Sequence, residues 1–322
     1  MPVLLIVWKE RLLTEKLTRD SFWAVIPTFN RADDLIATLD SLAKSEVNME
    51  QVIVVDNGSK DDTVEKMKAN YPKVHLLALE NNIGATGGSN AGFNYALAHG
   101  AEYVIRMDSD IEVDPNFLAP LIEVANSDPS IGIISPKIYF YNPHDVIWYG
   151  GVDSKGRFFK ITDGFRGQTD SPENSHIRQV DYTWGATMLI SRVVLEKTGG
   201  FDTDFFVYYE EFDFCDRAQA LGYKIMYVPE AKIWHKVGSI SYTAFTAYNW
   251  NKSKMIFIRK HAPNIFSKLY FILYAFAYAF ADAAIHALKL RERMGNRGPF
   301  KDTLRGLWNG LTISLTEPRE KK

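Results

Sequence analysis

The sequence predicts an α/β protein on a mixed, mainly parallel central sheet, and three observations carry that prediction. Short apolar runs alternate with helix-spaced stretches from residue 22 to about 115, the order that strand–helix–strand crossovers produce. Each run ends in polar residues: Thr28 and Asn30, Asp56 and Asn57, Asn81 and Asn82, Asp108 and Asp110. Open α/β sheets bind ligands at that carboxyl edge. With 322 residues, 46% hydrophobic and 24% charged, the chain can also bury a large core.

The elements follow in order. FWAVIPTFNR (22–31) is an apolar run closed by proline, as a buried parallel strand should be. RADDLIATLDSLAKS places Leu35, Ile36, Leu39 and Leu42 at helical spacing. QVIVVDNGS is a second strand, and DDTVEKMKANY a second helix with Asp61 or Asp62 as its cap. VHLLALE is a third strand; a glycine-rich turn at 84–92 leads into the helix NAGFNYALAHG, and AEYVIRMDSD is a fourth strand. The N-terminal 21 residues lack the basic start and cleavage site of a signal peptide, and read as a short strand or helix.

Beyond a helix near 115–126 the pattern changes. KIYFYNPHDVIWYGGVDSKGRFF suggests hairpins, and DGFRGQTDSPENSH a mobile surface loop. VDYTWGATMLISR reads as a strand, EEFDFCDRAQALG as a helix, and KIMYVPEAKIWHK as a strand pair or a strand and loop. NIFSKLYFILYAFAYAFADAAIHALKLRER reads as one long apolar helix. A net charge of -2 provides no basic field for nucleic acid, and the single cysteine, Cys215, excludes internal disulfides and cysteine-rich zinc sites.

Chemistry concentrates at a few places. On a strand, Asp108 and Asp110 share one face and repel, which calls for a positive partner. Arg106, two residues back, supplies a salt bridge; a divalent cation bridging phosphate oxygens is the alternative. His235 is a candidate third ligand, or an ordinary core histidine. NNIGATGGSNAGFN is either a phosphate-binding turn or a tight connection that needs glycine. Asp56 can accept a hydrogen bond from a bound base or cap a turn. Glu210, Glu211, Asp213 and Asp216 follow an aromatic run, Phe205 to Tyr209. These acids suit a helix N-terminus, and one beside an aromatic acceptor floor could serve as a general base.

VIPTFNRADDLIATLDSL, VIVVDNGSKDDT, NNIGATGGSNAGFNYAL, MDSDIEV, WGATMLISR and GGFDTDFFVYYEEFDFCDRAQALGYKIMYVPEAKIWH occur in the order seen in family 2 glycosyltransferases, over about residues 22–260. The chain most resembles the rhamnosyltransferase-like branch. The resemblance implies a GT-A fold and inverting transfer from a nucleoside-diphosphate sugar, UDP- or dTDP-linked, to a hydroxyl of a glycan or lipid-linked acceptor. By that resemblance, Pro27, Thr28, Asn30, Asp56 and Asn57 hold the nucleoside, while Asn82, Gly84, Gly88, Asn90, Asp108 and Ser109 hold the rest of the donor. Asp108, Asp110 and His235 hold Mg²⁺ or Mn²⁺; Trp184, Gly185 and Ala186 line the acceptor site; and Glu211 is the base, which leaves Glu210 and Asp213 to hold the acceptor or cap the helix. Many relatives carry Asp where Glu211 stands, so this base is one methylene longer.

The expected organisation is a GT-A catalytic domain over 1–260 and a C-terminal helical segment over 261–322. Between Lys268 and Lys289 only Asp282 and His286 interrupt the apolar character, and the flanks are basic. That pattern suits a helix lying on the cytoplasmic face of the cell membrane, or one packed on the catalytic domain or within a homo-oligomer. Two other functions compete. A sugar-nucleotide nucleotidyltransferase needs a basic glycine-rich signature near the first strand, where only Arg31 stands; a non-catalytic carbohydrate-binding module has no need of the acids at 108, 110 and 211.

Overall fold

The computed structural model describes residues 17–153, 162–236, 243–287 and 300–316. The expected element in residues 1–16 lies outside them. The described residues fall into two compact units, within Met1–Phe201 with Phe214–Val237, and within Asp202–Asp213 with Gly238–Lys322.

The first unit is built in the expected order. Strand β1 (Phe22–Thr28) is followed by α1 (Ala32–Ala43), β2 (Val52–Asp56), α2 (Thr63–Asn70), β3 (His75–Ala78), α3 (Gly84–Ala98) and β4 (Tyr103–Met107). Strands β3, β2, β1 and β4 lie side by side and parallel. Their residues Ala24 to Ile26, Val52 to Val55 and Tyr103 to Ile105 are buried, because helices cover both faces of such a sheet. Asp62 stands at the N-cap of α2 without a side-chain cap bond, while Asp61, one residue before it, accepts from the Thr63 N–H at 3.2 Å.

The rest of the sheet is mixed. After β5 (Ile111–Val113) and α4 (Leu118–Ser127), β6 (Ile131–Phe140) enters the centre of the sheet. Strands β7 (Ile147–Tyr149), β8 (Val152–Asp153), β9 (Thr162–Asp163), β10 (Arg178–Val180) and β11 (Thr187–Ser191) follow, then α5 (Arg192–Thr198), α6 (Glu210–Ala220) and β12 (Lys224–His235). The order continues from β4 through β11, β6 and β12 to β10, with β5 paired to β12 and β7 to β6.

Two local readings change. KIMYVPEAKIWH is one twelve-residue strand, β12, with an irregularity between Val228 and Lys232 that lets it continue past Pro229. DGFRGQTDSPENSH is anchored: the buried Lys137 ammonium donates to Asp170 at 2.7 Å, Asn174 at 3.1 Å and Ser175 at 3.2 Å. Burial makes an unpaired ammonium costly, so Lys137 draws this polar segment onto β6.

The second unit carries the helices α7 (Ala244–His261), α8 (Ile265–Ala287) and α9 (Phe300–Thr312). Met255, Ala275, Ala279 and Leu307 form its core, with Ile272 and Phe276 packed against them. The opposite side of α8 exposes Phe266, Leu269, Tyr270, Leu273 and Tyr274, at the i, i+3, i+4 spacing of one helical face. No described helix is long and apolar enough to cross a membrane.

Candidate active site

At the carboxyl edge of β1, β2 and β3 the polar residues form one connected frame. Asn30 adopts φ 52°, a left-handed conformation that asparagine tolerates. Its N–H donates to the Ser59 hydroxyl at 2.8 Å, and its Oδ1 accepts from the Lys60 N–H at 2.7 Å. Thr28, Asp56 and Asn57 are buried, and the Asp56 carboxylate accepts the Ser59 N–H at 3.2 Å. Asn57 clasps the glycine-rich turn from both ends of its amide, donating to Gly84 O at 2.8 Å and accepting from Ile83 N–H at 3.1 Å. Asn82 accepts from Gly84 N–H at 2.8 Å. A Cβ at Gly88 would stand 3.1 Å from Asn57 Nδ2 and 3.4 Å from Pro27 Cβ, so the turn packs closely on both expected nucleoside residues. Asn90 pairs through its amide with the backbone of Phe201, donating and accepting at 2.8 Å.

Asp108 leaves β4 with its N–H bonded to Ala186 O at 2.8 Å, which ties DSD to the WGA segment. Ser109 between the acids is buried, as is Ala186. His235 arrives through strand pairing: β12 runs antiparallel to β5 with His235 opposite Ile111, and the Lys236 N–H donates to Asp110 O at 2.8 Å. His235 Nε2 therefore lies 3.1 Å from Asp110 Oδ1 and 3.6 Å from Asp108 Oδ2. Its ring stands edge-on to Trp148, with centroids 4.9 Å apart, and Trp148 in turn packs at 5.7 Å from Trp184.

Two arginines complete this cluster. Arg106 donates to Asp108 Oδ1 and to the Gly185 carbonyl. Arg31 Nη1 lies 3.1 Å from Asp110 Oδ2. Burial pushes the Asp110 carboxyl upward, yet the His235 hydrogen bond and the charges of His235, Arg31 and Arg106 outweigh it and hold the group below the usual carboxylate range. One ligand atom from each of Asp108, Asp110 and His235 can be chosen so that all lie within 4.8 Å of one another. Two carboxylates and an imidazole form a donor set that suits a divalent cation such as Mn²⁺.

The expected base and acceptor acids are described within the second unit. Tyr208 and Tyr209, at φ 69° and 67°, turn the chain into α6. Their rings pack 5.3 and 5.2 Å from Trp250. Glu210, Glu211 and Asp213 occupy the first turn of that helix and are all buried. Asp213 Oδ1 lies 2.7 Å from His261 Nε2. Phe205, expected on the acceptor floor, is a core side chain. Arg31, Trp148, Lys137 and His261 were not singled out for these contacts from sequence; only Arg31, next to Asn30, carried a local signal.

Comparison with solved structures gives the fold. The mannosyltransferase PcManGT from Pyrobaculum calidifontis, in complex with GDP-Man and Mn²⁺, aligns over 96% of this chain and 92% of its own with a TM-score of 0.51 and 18% identity. The architecture is the GT-A fold. Residues 23–199 match the description "Glycosyl transferase family 2", and the chain belongs to that family.

Among curated relatives, the low-salt glycan biosynthesis hexosyltransferase Agl10 of Haloferax volcanii is 29% identical over 170 residues, 52% of this chain and 53% of that protein. The N-acetylglucosaminyl-diphospho-decaprenol L-rhamnosyltransferase of Mycobacterium tuberculosis is 27% identical over 233 residues, 66% of this chain and 74% of that protein. The match thus spans about half the length of the first relative.

Proposed function

We propose that this chain is an inverting, cation-dependent glycosyltransferase that moves a sugar from a nucleoside diphosphate to a hydroxyl of a glycan or lipid-linked acceptor. The observation that carries this reading is the convergence of Asp108, Asp110 and His235 at the carboxyl edge of the sheet. Beside them, Asp56, Asn57 and the glycine-rich turn offer the polar edge for a nucleotide, in keeping with the family. UDP- and dTDP-linked sugars are the proposed donors, with rhamnose favoured by the named relative.

A cation held by Asp108, Asp110 and His235 would supply Lewis-acid stabilisation of the departing diphosphate. The chain's residues do the rest. Glu211 accepts the proton of the acceptor hydroxyl as that oxygen bonds to the anomeric carbon, and the bond from that carbon to the diphosphate oxygen breaks. Attack on the face opposite the leaving group inverts the centre. Glu211 is preferred to Asp213 because it stands where the motif order of residues 22–260 places the family's base. Trp184, Gly185, Ala186 and Glu210 are proposed to contact the acceptor. Catalysis is assigned to residues 1–260.

The exposed apolar face of α8 supports attachment to the cytoplasmic face of a membrane; self-association through that face is the competing reading. The deciding experiment for function is a panel of nucleotide sugars with Mg²⁺ or Mn²⁺ and, separately, with chelator. Release of nucleoside diphosphate that requires the cation supports the reading. Release of pyrophosphate from a nucleoside triphosphate and a sugar phosphate would instead make the chain a nucleotidyltransferase.

A further inference from the structure

The two arginines at DSD are held in different ways. The Arg106 side chain is 7% exposed and is locked between Asp108 and the Gly185 carbonyl, with Nε 3.5 Å from the Ser89 hydroxyl. Arg31 is 51% exposed and follows the left-handed Asn30 at the start of α1. A single nitrogen, Nη1, reaches both Asp110 Oδ2 at 3.1 Å and Asp34 Oδ2 at 3.0 Å. Lys236 Nζ stands 4.0 Å from the other Asp34 oxygen. Arg106 is therefore a fixed part of the sheet, whereas Arg31 can leave Asp110 and keep a carboxylate partner in Asp34.

We propose that Arg31 is an exchangeable counter-ion that competes with a divalent cation for Asp110 and keeps the cation affinity of the nucleotide-free site low. This rests on the reading that Asp108, Asp110 and His235 bind such a cation. An oxygen that accepts from a guanidinium is a poorer metal ligand, and the guanidinium charge repels a dication placed beside it. A nucleoside diphosphate reverses both effects, since it brings negative charge for the cation and for the displaced guanidinium. Cation and nucleotide then bind with positive coupling, each raising the affinity for the other by one shared factor. Arg31 is on this account a positioning residue for the cation site.

The test uses the full chain and Mn²⁺ alone, with free ion read by electron paramagnetic resonance and no turnover required. Arg31→Gln should tighten Mn²⁺ binding about fivefold, the upper end for a half-exposed ion pair. Arg31→Lys keeps the charge and should tighten it by no more than about twofold. Asp110→Asn is the control for the site itself. Wild-type binding that Asp110→Asn abolishes, with no gain in Arg31→Gln, would overturn the role of Arg31 and leave the cation site standing. Wild-type binding unaffected by Asp110→Asn would overturn the cation site and the proposal with it.

Discussion

His235 Nε2 stands 3.1 Å from Asp110 Oδ1 across 125 residues of chain. The β5–β12 register makes this contact, by setting His235 opposite the residue after Asp110. The same edge collects Arg31 from the end of β1 and Arg106 from β4. A cluster assembled from three stretches of the chain is sensitive to single substitutions in a way that separates chemistry from folding.

Asp110→Asn preserves shape but removes the proposed anionic ligand and the charged partner of both His235 and Arg31. Transfer should fall by about a hundredfold or more, because cation stabilisation of a leaving diphosphate is worth several kcal/mol. Circular dichroism should keep the wild-type shape, and the loss in melting temperature should be small, because the change also relieves repulsion between Asp110 and Asp108. Unchanged turnover in this variant, in the presence of chelator, would remove the cation from the mechanism.

Glu211→Gln should cut transfer by roughly 10² to 10⁴ while donor binding is retained, as expected when a general base is lost. Asp213→Asn should act mainly on stability, since it breaks a buried pair with His261. Side-by-side kinetics and melting curves distinguish the two. Normal transfer by Glu211→Gln, with a folded but inactive Asp213→Asn, would move the base two residues along α6.

Gly306→Ala and Gly310→Ala test the packing of α7 on α9. Helix propensity alone says each change stabilises by about 1 kcal/mol. The structure reverses the sign. The new Cβ atoms would lie 2.3 Å from Tyr248 O and 2.4 Å from Lys252 O, both backbone atoms that cannot turn aside. A net loss of about 1 to 2 kcal/mol is expected from overpacking, read as a lower melting temperature and faster proteolysis within 300–316. A raised melting temperature would mean that the helices do not approach this closely.

The outer face of α8 should bring the full chain down with vesicles that contain anionic lipid. Phe266 is 80% exposed and Leu273 68% exposed, and an apolar face of this kind gains by burial in a lipid interface. Phe266→Ser with Leu273→Ser should abolish sedimentation with vesicles and leave transfer to a water-soluble acceptor unchanged. A dimer in light scattering that the same pair of changes dissolves, with no vesicle binding, would assign the face to a second copy of the chain.

Much of this molecule is legible in its sequence. Strand–helix alternation through β4, the polar residues at the strand ends and the DSD pair are local properties, carried by side-chain period and by where apolar runs stop. Motif order along the chain identified the family and singled out His235 without its geometry. Tertiary structure decided the rest. β6 forms the expected hairpin with β7, but it also runs through the sheet between β12 and β11, since a short apolar run does not say which strands will flank it. The amides of Asn57, Asn82 and Asn90 also hold backbone, which the sequence does not show, because a polar side chain near a turn bonds whatever backbone group the fold presents. Lys137 and Arg31 carried no periodic signal. Their partners, Asp170 and Asp110, lie 33 and 79 residues away, and only folding brings charges so distant in sequence within reach of one another.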